Sequence, residues 1–211
     1  MRSMVEGACE HPLDARELGG CFLRHGGSHQ AAPSGSLRSP PPPRGGGGTI
    51  TGLLTVGGSV RLFCDEMLAR LGRWLRAAGY DTAIAAGGLA APAIVAQCAV
   101  DGRTLLTRDH HLAAAAKGKV PVLRLADGSL AGQAPALRGA LGIDWQRAPF
   151  TRCLMDNTPL VPAPSDMAAL VPEKSRAAGG PLQLCPACRR LYWPGGHVRR
   201  MLARLAEWNR P

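Results

Sequence analysis

The sequence predicts an α/β fold, with helices flanking an open parallel sheet, followed by a smaller irregular C-terminal piece. Three observations carry this. Arg61-Leu62-Phe63-Cys64 is a short apolar run that stops at Asp65 and Glu66, and Thr104-Leu105-Leu106-Thr107-Arg108 is a second that stops at Asp109. Each has the length of a strand and gives way at once to a helical pattern. Beyond Ala148 the periodicity ends, prolines accumulate, and Cys185-Pro186-Ala187-Cys188 introduces a short aromatic stretch.

Taken in order, the elements alternate. After the strand at 61–64, residues 66–78 place Met67, Leu68, Leu71, Trp74, Leu75 and Ala78 on one helical face and Arg70, Arg73 and Arg76 on the other, with Gly79 as the stop. Thr82 to Ala86 reads as a strand, and Pro92 sits near the start of a helix running to about Val100. Asp101-Gly102 turns into the strand 104–107, a helix covers 109–116, a strand 120–125, and a last helix 130–141 ends at Gly142. Four βα repeats predict a parallel sheet covered on both faces. Such sheets put their sites at the carboxyl ends of the strands, where Asp65 and Asp109 fall. Two carboxylates brought together there suit a hard divalent cation, although Asp is also a favoured helix N-cap.

The flanks differ from this centre. In residues 1–59, Ser39 to Gly48 joins a polyproline run to a glycine run, with nothing to bury. The segment reads as disordered or as a spurious upstream extension, and Cys9, His11, Cys21, His25 and His29 are too widely spaced for a standard zinc pattern. After 148, the C-x-x-C at Cys185 and Cys188, on a tight turn before Tyr192-Trp193, has the layout of a zinc knuckle, because the turn aims two thiolates at one metal. A basic helix follows, from about Val198 to Trp208. The expected organisation is therefore 1–59, 60–147 and 148–211.

Composition narrows the class. Lys and Arg outnumber Asp and Glu by 25 to 15, and a pI near 10.0 draws the chain to polyanions, nucleic acid first among them. Seven cysteines do not space as a disulfide framework, and Cys64 and Cys98 sit in apolar segments as core thiols. With no signal-peptide pattern and no apolar stretch of spanning length, a reducing cytoplasm without membrane partners is the expectation.

Asp65-Glu66-Met67-Leu68-Ala69-Arg70-Leu71-Gly72-Arg73-Trp74-Leu75-Arg76, then Gly79-Tyr80-Asp81, then Leu106-Thr107-Arg108-Asp109, resemble the Mut-seven C-terminal RNase domain, a PIN-like ribonuclease domain. Phe150-Thr151-Arg152-Cys153 at one end, and Cys185-Pro-x-Cys188 with Arg190-x-Tyr192-Trp193-x-Gly195-x-His197 at the other, resemble that family's appended zinc ribbon. The resemblance spans about Arg61 to Met201. It implies a PIN-like fold and a metal-dependent ribonuclease in which Asp65 and Asp109, with Glu66 beside them, hold Mg²⁺ or Mn²⁺ for attack of water on a phosphodiester. It further implies structural zinc in the ribbon. Arg70, Arg73 and Arg108, with Arg189, Arg190, Arg199 and Arg200 around the ribbon and final helix, are the residues expected to meet an RNA backbone.

The sequence departs from the family's pattern twice. The acid usual near the start of the second helix is absent, the stretch being Gly87-Gly88-Leu89-Ala90-Ala91-Pro92-Ala93. The first zinc pair reads Cys153-Leu154-Met155-Asp156, so the ligand set is Cys153, Asp156, Cys185 and Cys188, with His197 as the alternative fourth ligand. The sparse acids leave open a non-catalytic RNA-binding protein with a degenerate PIN-like site.

Overall fold

The computed structural model describes residues 23–24, 60–177 and 179–210. The readings made for most of 1–59, the widely spaced Cys and His residues included, lie outside them. Four parallel strands form the central sheet: β2 (Leu62–Cys64), β3 (Thr82–Ile84), β4 (Thr104–Thr107) and β5 (Val122–Arg124), in the order β3-β2-β4-β5. The chain leaves β2 for β3 on one side and returns through β4 on the other. The crevice between the carboxyl ends of β2 and β4 is therefore the sheet's topological switch point, where open α/β sheets bind ligands.

Alternation along the strands decides what each face covers. Leu62 and Cys64 of β2 and Leu106 of β4 point into one core with Leu71 and Leu75 of α1 (Ala69–Ala77) and Ala134 and Leu137 of α4 (Leu130–Leu141). Phe63 and Leu105 point the other way, against Ile94, Val95 and Cys98 of α2 (Ala91–Asp101) and Leu112 and Ala116 of α3 (His110–Ala116). The predicted α/β sandwich is thus observed, and Cys64 and Cys98 are core thiols, 0% and 1% exposed. Gly72 lets α1 lie directly on β3: a Cβ there would stand 2.7 Å from Ile84 Cγ1.

Two details of the first helix differ from the expected amphipathic face. Glu66–Leu68 is a 3₁₀ turn rather than the first turn of the α-helix, and Met67 on it is 60% exposed. Arg76, placed by the pattern among the solvent-facing arginines, is buried. Its Nε donates to Thr82 O at 2.8 Å, and its Nη1 donates to Leu154 O at 2.9 Å and Met155 O at 2.7 Å. Three carbonyls within reach of one guanidinium explain why a charged group is drawn inside.

The C-terminal piece is a second sheet, antiparallel throughout, of β6 (Val161–Pro162), β7 (Gln183–Leu184) and β8 (Arg190–Tyr192), with β1 (Leu23–Arg24) pairing to β8 on its outer edge. Met167, Val171, Leu184, Leu191 and Trp193 form its own small core, next to the short α5 (Glu173–Ala177). The basic helix α6 runs Gly196–Trp208 and returns to the α/β body, where Trp208 meets Trp74 and Trp145 edge-on at 4.8 and 5.1 Å between ring centres. Cys153, Leu154, Cys185 and Tyr192 belong to the same core cluster as the sheet and α1. Gly79 completes this joint. Its φ of +93° is one that L side chains rarely adopt, and a Cβ would stand 2.4 Å from Ala148 O.

Candidate active site and metal centre

Asp65 follows the last residue of β2, and each of its carboxylate oxygens is engaged. Oδ1 accepts the Leu68 N–H at 3.0 Å; Oδ2 accepts the Thr107 hydroxyl and, at 3.3 Å, the Arg108 N–H. The side chain is buried, and the main-chain N–H donates to Leu106 O across the β2–β4 pair. Asp109 caps α3, its Oδ1 accepting the His111 and Leu112 amides at 2.7 and 3.3 Å, and it is exposed. Thr107 connects the two acids. Its hydroxyl donates to Asp65 and accepts the Asp109 N–H at 2.9 Å. Sequence reasoning assigned Thr107 no role, although a hydroxyl at a strand end, two residues before the second acid, was the available signal.

Glu66 is exposed and reaches across to the turn after β3, where its Oε2 accepts the Gly88 N–H at 3.3 Å. A Cβ on Gly87 would lie 3.5 Å from Oε1 of the same carboxylate. The turn without a carboxylate of its own is therefore approached by one from the neighbouring strand end.

The second site is built from two hairpins of the same design. In the first, Cys153 N–H donates to Thr158 O at 2.8 Å, Asn157 N–H donates back to Cys153 O at 3.0 Å, and Asn157 adopts φ +71°. In the second, Cys185 N–H donates to Arg190 O at 2.9 Å, Arg189 N–H donates to Cys185 O at 2.9 Å, and Arg189 adopts φ +58°. Asp156 thus occupies in the first hairpin the place that Cys188 has in the second. Among the described residues, Cys153, Asp156, Cys185 and Cys188 are the one group of three or more Cys, His, Asp or Glu whose ligand atoms all lie within 4.8 Å of one another. Cys153 and Cys188 Sγ are 3.6 Å apart, and Cys185 Sγ lies 3.3 Å from Asp156 Oδ2.

The electrostatics suit a cation. Burial first, then the neighbouring Asp156, pushes the Cys188 thiol up to about 12. Burial works to raise Asp156 as well, but donors from the Thr158 amide and the Cys188 thiol outweigh it and hold the carboxyl well below its usual range. Three thiols and a carboxylate in this space form a donor set that can hold a metal such as zinc. Supporting groups surround it: the Tyr192 hydroxyl lies 3.2 Å from Cys153 Sγ and accepts the Leu154 N–H at 2.9 Å, while Arg76 holds the two carbonyls between the first pair of ligands. His197 is not in the group. It lies in the first turn of α6, against a groove between α1, α4 and α6.

A model of the Mut7-C RNAse domain family matches residues 60–205. The chain belongs to the Mut7-C RNAse domain family. A ribonuclease-type function, with RNA as substrate, goes with that membership. No curated protein and no solved structure matches the chain. In this Mut7-C chain the expected arginines divide by place. Arg70 and Arg200 line the groove, joined by Arg204. Arg108 is half-buried beside the acids, Arg73 and Arg190 are half-buried, Arg189 is exposed on its hairpin, and exposed Arg199 donates to Pro194 O at 3.3 Å. No helix among the described residues is long and apolar enough to cross a membrane.

Proposed function

We propose that this chain is a metal-dependent ribonuclease whose catalytic centre is the crevice at the carboxyl ends of β2 and β4. The observation that carries the reading is the linkage of Asp65 and Asp109 through Thr107 at the switch point of the sheet. Asp65 and Asp109 would hold Mg²⁺ or Mn²⁺, with Glu66 next to Asp65 in sequence but its carboxylate turned to the Gly88 amide. The donors are of the right kind, oxygen only, with Asp109 exposed and Asp65 Oδ1 engaged by a single amide, but the carboxylates of Asp65, Glu66 and Asp109 do not all lie within 4.8 Å of one another. Such an ion, when bound, lowers the pKa of a water and stabilises charge on the phosphate oxygens. The chain's own residues orient the acids: the amides of Leu68 and Arg108 with the Thr107 hydroxyl fix Asp65, and the amides of α3 fix Asp109. Arg108, Arg70, Arg73, Arg189, Arg190, Arg199 and Arg200 provide the positive surface for the RNA backbone. In the ribbon, Cys153, Asp156, Cys185 and Cys188 hold structural zinc.

A non-catalytic RNA-binding protein is the second reading. It is favoured by the three donors already engaged with Asp65 and by the carboxylate-free turn at Gly87-Gly88-Leu89. The deciding experiment is a nuclease assay on mixed RNA substrates with Mn²⁺, comparing the parent protein with Asp65→Asn. Asn caps a helix as well as Asp does, so the fold is kept while the charge is lost. Cleavage is expected to fall on the order of 100-fold or more, with RNA binding retained. Unchanged cleavage would hand the chain to the binding reading.

A further inference from the structure

A groove of about 550 Å³ lies between α1, α4 and α6. Arg200 and Arg204, one turn apart on α6, line it, Arg70 comes in from α1, and Trp74 and Trp208 add aromatic surface. None of the described residues that line it carries a carboxylate. Arg200 and Arg204 are exposed, and the one acid of α6, Glu207, meets Arg204 at 3.5 Å with both side chains more than half exposed, so that pair neutralises little. Three cations around an apolar surface are complementary to an acidic peptide that also carries apolar side chains.

The outer edge of the ribbon decides which peptide is at hand. β1 runs antiparallel to β8, with Leu23 opposite Leu191 and Arg24 opposite Arg190. Going back along one strand of such a pair means going forward along the other. The chain before Leu23 is therefore aimed past Tyr192 and Trp193 at Gly195, the N-cap of α6. From the start of that helix Arg200 and Arg204 lie about 6 and 12 Å along its axis. The six residues from Glu17 to Leu23 span up to about 20 Å, enough to bring an acid to either arginine.

The composition of that stretch matches. Residues 1–22 hold Glu6, Glu10, Asp14 and Glu17 against Arg2 and Arg16, in a chain whose basic residues outnumber its acidic ones 25 to 15. Val5, Leu13 and Leu18 stand among these acids.

We propose that the groove is the docking site of the chain's own residues 5–18. Their carboxylates meet Arg70, Arg200 and Arg204, and Leu13 and Leu18 lie against the tryptophans. Because β1 tethers the segment beside the groove, its effective concentration there is on the order of millimolar, and individually weak pairs suffice. The docking is independent of the acid site and holds whether or not the protein cleaves RNA.

Carbodiimide cross-linking tests this, because it joins carboxylates to lysine amines and leaves arginine untouched. Arg200→Lys in the full-length protein keeps the charge and supplies an amine in the groove. Peptide mass spectrometry is expected to find position 200 linked to Glu10, Asp14 or Glu17 within one molecule. Its yield should exceed links from those acids to Lys117 and Lys119 about tenfold, as a seated segment differs from one merely tethered. Both of those lysines are exposed and outside the groove. Most of the excess should vanish at about 1 M salt, where charges are screened within about 3 Å. Links no more frequent than those at Lys117 and Lys119, or an excess that ignores salt, would overturn the docking. Links that join two molecules would overturn it too, giving the groove to a second copy. If Arg200→Lys lowers the melting temperature, Arg204→Lys replaces it with the same expectations.

Discussion

The two sites of this chain handle their carboxylates and thiols in opposite ways. At the strand ends, Asp65 and Asp109 are organised by the protein itself: helix-turn amides and one threonine hydroxyl occupy their oxygens, and each has a structural task as a cap. In the ribbon, four ligand atoms are drawn within 4.8 Å of one another, and burial pushes the Cys188 thiol up. The first arrangement costs little without a cation, because its charges are already solvated by donors. The second brings side chains together for no gain but a shared ion. For the metals proposed above, the difference predicts that an ion in the ribbon is a condition of folding, whereas an ion at the acids can be removed without loss of the fold.

The largest effect that could break this contrast is loss of a ribbon ligand. Cys185→Ser removes a fully buried thiol from the cluster, and purified protein should lose its stoichiometric zinc in elemental analysis. Because Cys153, Leu154 and Tyr192 share their core with α1 and the sheet, the damage should spread beyond the ribbon. A loss of about 5 kcal/mol, on the order of 10–20 °C in melting temperature, is expected. Parent protein that purifies without zinc and melts like the variant would erase the distinction between the sites.

Arg76→Ala tests how the two regions are held together. It leaves the carbonyls of Thr82, Leu154 and Met155 without this donor, at a cost of about 3–5 kcal/mol for breaking a buried charged network. Denaturant melts and zinc retention should fall together. Arg76→Lys should rescue only part, since one ammonium cannot reproduce a planar guanidinium spanning three acceptors.

These residues also show what could be read from the chain. The helix at 130–141 is legible to the residue because its ends are chemical: the Ser129 hydroxyl accepts the Gly132 N–H, and Gly142 takes φ +63°. The alternation of strands and helices follows from local patterns. Asp156 entered only through the resemblance, at the place of the family's second cysteine, with His197 as the alternative, and the fold brings Asp156 and not His197 to the three thiols. Met67 was misplaced because a 3₁₀ turn advances each residue by about 120° rather than 100°, which rotates the face the α-helical pattern assigns. Arg76 was misplaced because its partners Leu154 and Met155 lie 78 and 79 residues on, and an amphipathic pattern scores every arginine as solvent-facing. The groove needed α6 to fold back on α1, an approach with no local signature.

Within the acid site, Thr107→Val sharpens the comparison. Asp65 keeps its two amide donors, but the hydroxyl link is gone and the Asp109 N–H loses its acceptor. A cost of about 1–3 kcal/mol is expected, with cleavage falling about tenfold as the acids lose their mutual placement. Zinc content should not change, and Thr107→Ser should restore activity. A fall in zinc would mean that the two sites are not organised independently.

The smallest effect expected is on pH dependence at the joint. Asp81 accepts Arg103 Nη1 and Asn157 Nδ2, both at 2.7 Å, and Arg61 Nε at 3.3 Å. Burial works to raise its carboxyl, but the bonds from Arg103 and Asn157 outweigh it and hold the group at about 2, against an ordinary 3.8. A carboxyl depressed in the folded state contributes stability above its unfolded pKa. That contribution is lost as pH falls from about 4 towards the folded value. With the side chain 18% exposed and open to solvent screening, the contribution is on the order of 1 kcal/mol. Acid will also strip a thiolate-bound metal, so the parent alone does not isolate the effect. The difference between parent and Asp81→Asn does: denaturant melts at neutral pH should separate the two by that amount, and the gap should close near pH ~2. A gap that persists at low pH would show that Asn157 and Arg103 need the shape of the Asp81 side chain rather than its charge. The clasp between sheet and ribbon would then be steric, with the buried Arg76 as the charged group that matters there.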